Sequence, residues 1–316
     1  MELLDFLKVM VEKAASDVYL TVASPPMYRI EGTVQPFGDH SFTPDETEML
    51  AKSVLNEQQW HEFVERKEMN LAFSYPKLSR FRVNVLRQRG SVGIVVRRVK
   101  FGISSLDELG LPPITKDISM TKRGLVLIVG ATGSGKSTTL AAMIEHRNSN
   151  SSGHIITVED PIEFLHRHKK SIVHQRELGL DTLSFHDALK NAMRQAPDVI
   201  MIGEIRDTES MEAAITFADT GHLCLGTLHA NNANQSFERI LNFFPETRHP
   251  QIFMQLSLNL RAIISQQLIP SLEGKRVPAV EILMDTPRIK DSHKKRRDRC
   301  SQGSDGAGDP RGLHDL

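Results

Sequence analysis

The chain has 316 residues, of which 40% are hydrophobic and 25% are charged. This length predicts about two domains, and the composition excludes a mainly disordered, collagenous or membrane-embedded chain. The 39 basic and 39 acidic residues cancel, so the chain lacks the basic excess that is usual in nucleic-acid binders. Cys224 and Cys300 form no CxxC pair, so we expect a reducing cytoplasm and neither a zinc ribbon nor a disulfide scaffold.

Residues 1–100 mix helical and strand patterns and predict a small α+β domain. Apolar residues at positions 3, 4, 7, 10 and 11 have the spacing of an amphipathic helix. No segment reaches the ~18 apolar residues of a membrane helix, so we expect no direct membrane insertion. Thr43 and Pro44 are typical of a helix N-cap and first helical position. Strands are predicted over residues 17–22, 27–30, 71–75, 80–86 and 92–97.

Residues 101–118 predict a linker with one short helix, and a second domain is predicted over residues 119–290. Its continuous apolar runs are typical of strands buried on both faces, at 124–130, 154–158, 199–202 and 223–228. Helical patterns lie between them, at 137–147, 184–195 and 208–219. This alternation predicts a parallel α/β sheet. A long helix is predicted from Ile252 to Leu268, and residues 291–316, rich in charge and glycine, are expected to be disordered.

A phosphate-binding loop is predicted at residues 130–138, which match the pattern G-x-x-x-x-G-K-[ST] between a buried strand and a helix. Glycines let the backbone N–H groups of such a loop surround a phosphate. Lys136 would reach the β- and γ-phosphates of ATP, and the Ser137 hydroxyl would hold Mg²⁺. The residues predicted to bind ATP are Gly130, Ala131, Thr132, Gly133, Ser134, Gly135, Lys136, Ser137 and Thr138.

Hydrolysis also needs acidic groups, and two stretches supply them. Glu204 follows the buried run 199–202 at the carboxyl end of a predicted strand, where open α/β sheets bind ligands. It could orient the attacking water or accept its proton. Glu163, soon after the strand at 154–158, is a candidate catalytic residue and Mg²⁺ ligand. Glu159 and Asp160 are less specific candidates, because one of them could cap a helix.

His229 and a group of arginines complete the candidate site. His229 lies at the carboxyl end of a predicted strand, where it could sense the γ-phosphate. The arginines could form a solvated basic sheet face or a nucleic-acid patch. A third interpretation is that they supply charge to the site of a neighbouring subunit, as in other P-loop NTPases. They are Arg80, Arg82, Arg87, Arg89, Arg97 and Arg98.

The order of these motifs resembles the secretion-superfamily ATPases, specifically the type IV pilus retraction (twitching motility) ATPases of the PilT/PilU family. In that family the stretches are called Walker A, Asp box, Walker B and His box, here residues 130–138, 158–166, 203–207 and 220–232. N-terminal runs also match, at 15–20, 25–29 and 81–84. The runs 221–234 and Asn242–Pro245 are more similar to the PilU branch than to the PilT branch.

The resemblance implies a PAS-like N-terminal domain, a RecA-like P-loop domain and a homo-hexamer that binds ATP and Mg²⁺ between subunits. Arg82 and Arg97 would approach the nucleotide from the PAS-like domain. The resemblance also implies a cytoplasmic ring at the base of the pilus machine, below the inner-membrane platform protein. There it would power retraction as an accessory PilU-type motor beside a PilT-type ATPase, with no nucleic acid as partner.

The resemblance covers residues 1–290, and the chain departs from the family pattern after Thr286–Ile289. There Lys294–Arg297 and a glycine-rich run replace a mainly helical continuation, as a shifted or truncated reading frame would explain. Three alternatives stay open: a pilus extension or type II secretion ATPase, a nucleic-acid motor, and an assembly subunit that binds ATP with little turnover. Many extension ATPases carry a four-cysteine zinc motif that this chain lacks, and intact Lys136 and Glu204 disfavour the assembly subunit.

Overall fold

The computed structural model divides into two compact units. The first comprises Met1–Gly102 together with Glu163–Leu165, and the second comprises Ile103–Ile162 and the described residues from His166 onward. The tail that the composition predicts to be disordered, residues 291–316, lies outside the described residues. The structure describes residues 2–76, 78–99, 102–271 and 276–284.

The first unit contains one six-stranded antiparallel sheet together with helices. Its elements are α1 (Leu3–Glu12), β1 (Asp17–Leu20), β2 (Met27–Ile30), β3 (Thr33–Pro36), α2 (Pro44–Val54), α3 (Glu57–Arg66), β4 (Glu68–Tyr75), β5 (Ser79–Gln88) and β6 (Ser91–Val99). The strand order is β3-β2-β1-β6-β5-β4, and every neighbouring pair is antiparallel. The predicted α+β content is confirmed, as is the start of α2 at Pro44 after the N-cap Thr43.

The two faces of this sheet differ in polarity. Along β5, Phe81, Val83 and Val85 are buried, whereas the alternating Arg82 and Asn84 are partly exposed. The buried residues join an apolar cluster to which α1, α2 and α3 also contribute. Side chains of a strand alternate between its two faces. The helices therefore cover one face, and the opposite face, which we call the outer face, carries polar side chains.

The second unit contains a seven-stranded sheet. Its elements are α4 (Ile114–Ser119), β7 (Gly124–Val129), α5 (Lys136–Asn150), β8 (Gly153–Glu159), β9 (Ser171–Glu177), α6 (Phe185–Ala192), β10 (Val199–Ile202), α7 (Thr208–Asp219), β11 (Leu223–Leu228), α8 (Ala233–Leu241), a 3₁₀ turn (Glu246–Arg248), α9 (His249–Asn259), β12 (Leu260–Pro270) and β13 (Arg276–Met284). The strand order is β13-β12-β7-β11-β10-β8-β9. All neighbouring pairs are parallel except β12 with β13.

Helices cover both faces of this second sheet. Leu125, Leu127 and Val129 of β7 belong to an apolar cluster with α6, α7, α8 and α9, whereas Val126 and Ile128 belong to another with α5. Every residue of β7, β10 and β11 is buried. The uninterrupted apolar runs predicted these strands correctly because both of their faces are covered. Within the described ranges, no helix combines the length and the apolar character needed to span a bilayer.

The prediction of one helix from Ile252 to Leu268 is wrong. The helix α9 ends at Asn259, and β12 begins at the next residue. Strand β12 pairs with β7 on one side and with β13 on the other, so its backbone polar groups are satisfied within the sheet. Its buried Ile263 and Ile264 are β-branched, which favours a strand. Because β13 is antiparallel, the sheet is mixed and not wholly parallel; β9 is a further strand that no sequence pattern predicted.

Candidate nucleotide site

The loop between β7 and α5 contains the phosphate-binding motif. Gly133 and Gly135 have φ angles of 78° and 86°, in the left-handed region that glycine enters without steric cost. The Lys136 Nζ donates hydrogen bonds to the carbonyl oxygens of Gly130 at 2.8 Å and Ala131 at 2.9 Å. The ammonium group is therefore held against the loop backbone, next to the N-terminus of α5, where anions are favoured.

Ser134 provides a test of whether this loop suits a phosphate. Its side chain is buried, and among the described residues its Oγ has no hydrogen-bond partner. Buried hydroxyl groups are nearly always hydrogen-bonded, so this one needs an explanation. A phosphate oxygen in the loop would accept its hydrogen bond. The residues present therefore fit the phosphates of a nucleotide.

Gln266 of β12 holds the loop in place, a role that the sequence patterns did not predict. Its side chain accepts a hydrogen bond from Thr139 Oγ1 at 2.7 Å and donates one to the Ser134 carbonyl oxygen at 2.8 Å. A Cβ atom on Gly130 would lie 2.3 Å from the Gln266 carbonyl oxygen. A Cβ atom on Gly135 would lie 2.8 Å from the Gln266 Nε2. The loop thus needs glycine at both positions because β12 lies so close.

Substituting leucine for Gln266 should destabilise the second unit. Both hydrogen bonds would be lost, and each buried group left unpaired costs about 1–3 kcal/mol. Denaturant unfolding at equilibrium measures the loss, and a nucleotide titration should show weaker binding by the same variant. Gln267→Leu is the matched control, because Gln267 is the next residue of β12 and is exposed. Equal stability of the two variants would show that Gln266 does not support the loop.

An acid–histidine pair forms at the carboxyl ends of β10 and β11. Glu204 lies two residues beyond β10, and His229 directly follows β11. The Glu204 Oε1 lies 2.6 Å from the His229 Nε2. The two residues meet because β10 and β11 are adjacent parallel strands whose carboxyl ends lie at the same edge. The sequence predicted that both residues lie at the carboxyl ends of strands, and the structure places them there.

Arg206 holds the other oxygen of the same carboxylate. Its Nε donates to Glu204 Oε2 at 2.6 Å, and its Nη1 donates to Asp160 Oδ2 at 3.2 Å. The hydrogen bond to Glu204 is the main cause that raises the pKa of Arg206. Glu204 is therefore oriented from both sides, by Arg206 and by His229. Since a carboxylate offers about four lone-pair sites, positions remain to accept a hydrogen bond from water.

A cavity of about 380 Å³ lies beside these groups. Its wall includes Gly130 and Ala131 of the loop, His229, Asn231, and Arg239 of α8. The wall contains His229 and not Glu204 itself, so the acid is connected to the cavity through its histidine partner. Ligand pockets are commonly about 300–1,000 Å³. The cavity therefore brings together the loop and His229, the partner of Glu204, at one edge of the second sheet.

The two predicted Mg²⁺ ligands belong to different parts of the chain. Ser137 lies in the first turn of α5, one residue after Lys136. Glu163 is exposed and belongs to the segment 163–165, which groups with the first unit. In nucleotide sites Mg²⁺ is usually held by one or two protein groups together with phosphate oxygens and water. The Ser137 hydroxyl is the ligand that α5 offers, and the role of Glu163 stays a prediction.

Arg82 and Arg97 are direct neighbours on the outer face of the first sheet. They are cross-strand partners in the antiparallel pair of β5 and β6. Residues opposite each other in such a pair lie on the same face, with Cβ atoms about 4.5–5.5 Å apart. The Arg97 side chain is 65% exposed. The sequence predicted both residues as strand arginines, and the register now places them side by side.

Comparison with known proteins identifies the family to which this chain belongs. The model of the family "Type II/IV secretion system protein" matches residues 4–309. The chain belongs to that family. Within the secretion family, it is 54% identical over 292 residues to the type IV pilus ATPase PilU of Pseudomonas aeruginosa, covering 92% of this chain and 76% of PilU. It is 40% identical over 290 residues to the type IV pilus ATPase PilT of the same organism, covering 92% and 84% of the two chains.

Two solved structures have a fold similar to that of this chain. A crystal structure of the pilus retraction motor PilT with bound ADP matches with a TM-score of 0.89 at 42% identity, over 96% of this chain and 89% of that one. The Legionella pneumophila ATPase DotB matches with a TM-score of 0.80 at 26% identity, over 96% and 87%. The resemblance to PilT/PilU-type secretion ATPases, deduced from four motifs, is confirmed.

Proposed function

We propose that this chain hydrolyses ATP to power the retraction of type IV pili, in the manner of a PilU-type motor. The observation that carries the proposal is the single edge of the second sheet that holds the phosphate loop, Glu204 and His229. The proposal is also supported by the 54% identity to PilU and by the fold shared with ADP-bound PilT. A secretion ATPase of this type uses ATP with Mg²⁺.

The residues divide the chemical work between binding and hydrolysis. The loop N–H groups, the Ser134 hydroxyl and the Lys136 ammonium bind the phosphates of ATP. Ser137 would hold Mg²⁺, which when bound neutralises charge on the phosphates. Glu204, oriented by Arg206 and His229, accepts a hydrogen bond from the attacking water and directs it toward the γ-phosphate.

The assembly in this proposal is a homo-hexamer with its sites between subunits. The first unit would be the PAS-like domain, the second the RecA-like domain, and Arg82 and Arg97 of one subunit would act on ATP bound by the next. The ring would work in the cytoplasm at the inner-membrane base of the pilus machine. Its proposed partners are a PilT-type ATPase and the membrane platform protein. Glu163 would complete the Mg²⁺ site.

Replacing Lys136 with alanine should weaken ATP binding by about 10- to 100-fold. The lost hydrogen bond to a charged phosphate is worth about 1.5–3 kcal/mol, and 1.4 kcal/mol is a factor of ten in affinity. A titration with a fluorescent ATP analogue measures the dissociation constant. Lys122→Ala, which removes an exposed lysine before β7, should bind as the unaltered chain does. Equal affinity of the Lys136 and Lys122 variants would contradict the phosphate role.

The experiment that tests the proposed function measures ATPase rate per subunit against protein concentration. A site completed by a neighbouring subunit should become active as rings form, so the specific rate should rise steeply and then level off. A rate that never exceeds background, despite ring formation seen by light scattering and intact ATP binding, would favour an assembly subunit with little turnover. A specific rate that is constant at all concentrations would contradict a site between subunits.

A further inference from the structure

A row of four charged residues crosses the outer face of the first sheet. In the antiparallel registers, Arg82 of β5 is opposite Arg97 of β6, Arg97 is opposite Asp17 of β1, and Asp17 is opposite Arg29 of β2. Directly opposite residues share a face, and like charges there are destabilising. The row therefore places three positive side chains together with a single carboxylate between two of them.

Asp17 is the buried member of this row. Its side chain is 4% exposed, whereas that of Arg97 is 65% exposed and that of Arg29 is 39% exposed. Its Oδ1 accepts a hydrogen bond from Arg97 Nε at 2.8 Å, and its Oδ2 lies 3.4 Å from Arg29 Nε. Ser16 Oγ also donates to Oδ2 at 2.8 Å. Both oxygens of Asp17 thus have partners, as a buried carboxylate requires.

The contact with Asp17 uses one particular edge of Arg97. A guanidinium group has five N–H donors in a planar fork, and the Asp17 contact takes the single donor on Nε. The four donors on the two Nη atoms form the outer end of the fork, the part that binds phosphate in a bidentate manner. The hydrogen bond that Arg97 donates to Asp17 is also the main cause that raises the pKa of Arg97.

We propose that Asp17 is a positioning residue for ATP hydrolysis, which holds Arg97 through its Nε so that the Nη groups are presented to the γ-phosphate of a neighbouring subunit. The inference rests on the proposed function, because it assumes that Arg97 acts on ATP. Asp17 itself touches no substrate. Its carboxylate also offsets the repulsion between the adjacent cations Arg97, Arg82 and Arg29.

Asp17→Ala should lower kcat by between about tenfold and 100-fold, because a misplacement of about 1 Å can cost 10²-fold in rate. The dissociation constant of ATP should stay within about twofold, since the phosphate loop belongs to the second unit. Asp17→Asn retains an oxygen that can accept from Arg97 Nε, so it should lose less activity than Asp17→Ala. Asp39→Ala, which alters an exposed aspartate of the same unit, should match the unaltered chain.

A double-mutant cycle separates positioning from support of the fold. In the Arg97→Ala background, Asp17→Ala should reduce kcat by less than a further twofold, because the group that it positions is gone. An equal loss in both backgrounds would show that Asp17 only stabilises the sheet, and would overturn the inference. Thermal unfolding of each variant identifies loss of fold, and if Asp17→Ala unfolds, Asp17→Asn serves in the cycle.

The outcomes distinguish this inference from the proposed function. If Arg97→Ala is inactive while both Asp17 variants are fully active, the positioning role is wrong and the proposed function stands. If Arg97→Ala is fully active, the arginine role in the proposed function is wrong, and the positioning role is overturned with it. If the unaltered chain forms rings, binds ATP and does not hydrolyse it, the proposed ATPase function itself is wrong.

Discussion

Rings that mix Arg97→Ala and Glu204→Ala subunits are expected to recover part of the ATPase activity that each variant lacks alone. An arginine supplied across a subunit boundary can be worth ~10³–10⁵ in rate, so the loss in Arg97→Ala rings should be large. In a mixed ring, some interfaces combine an intact arginine from one subunit with an intact glutamate from the next. In a random equimolar mixture these make up about a quarter of all interfaces.

The measurement is the steady-state ATPase rate of rings dissociated, mixed and reassembled, with co-assembly verified by two affinity tags. Mixing each variant with more of itself is the control and should recover nothing. The same experiment with Arg82→Ala tests the cross-strand neighbour of Arg97. Absence of recovery in verified mixed rings would contradict a site between subunits. It would favour the alternative that the arginines only form a solvated basic surface on the outer face.

Glu204→Ala should preserve ATP binding and lower turnover by ~10²–10⁴, the usual contribution of a positioned acid–base group. The variant leaves Arg206 and His229 without the carboxylate that they share, but the phosphate loop is untouched. Single-turnover hydrolysis and a nucleotide titration measure the two effects separately. The expected pattern is a large loss of kcat with a dissociation constant close to that of the unaltered chain.

Glu209→Ala is the matched control for this prediction. Glu209 is an exposed carboxylate in the first turn of α7, five residues after Glu204, and should be replaceable without loss of turnover. A loss of less than about threefold in Glu204→Ala would show that another residue orients the water. Glu163 is then the next candidate, and the same pair of measurements on Glu163→Ala would examine it.

Much of the second sheet could be predicted because its central strands are covered on both faces. Such strands appear in the sequence as uninterrupted apolar runs, and the residues at their carboxyl ends are candidates for a ligand site. Glu204 and His229 were located in this way. That they contact each other depends on β10 and β11 being adjacent, and strand order is a tertiary property that apolar runs do not encode.

The parts that sequence patterns missed depend on pairing between distant segments. Gln266 follows a buried apolar run within β12, but a helical interpretation of residues 252–268 concealed the strand. Asp17 and Arg97 are 80 residues apart, and only the register of β1 with β6 brings them together. Short apolar segments suit both helices and strands, and sheet pairing decides between them.

The attachment of the phosphate loop to β12 has a consequence for the thermodynamics of nucleotide binding. The buried Gln266 side chain donates one hydrogen bond to the loop and accepts one from the first turn of α5, which joins both to the sheet. The loop backbone is therefore already ordered by the core before any ligand arrives. Ordering a mobile segment costs about 1–2 kcal/mol per residue in conformational entropy. A pre-organised loop avoids that cost, so more of its interaction energy with phosphate is expressed as affinity.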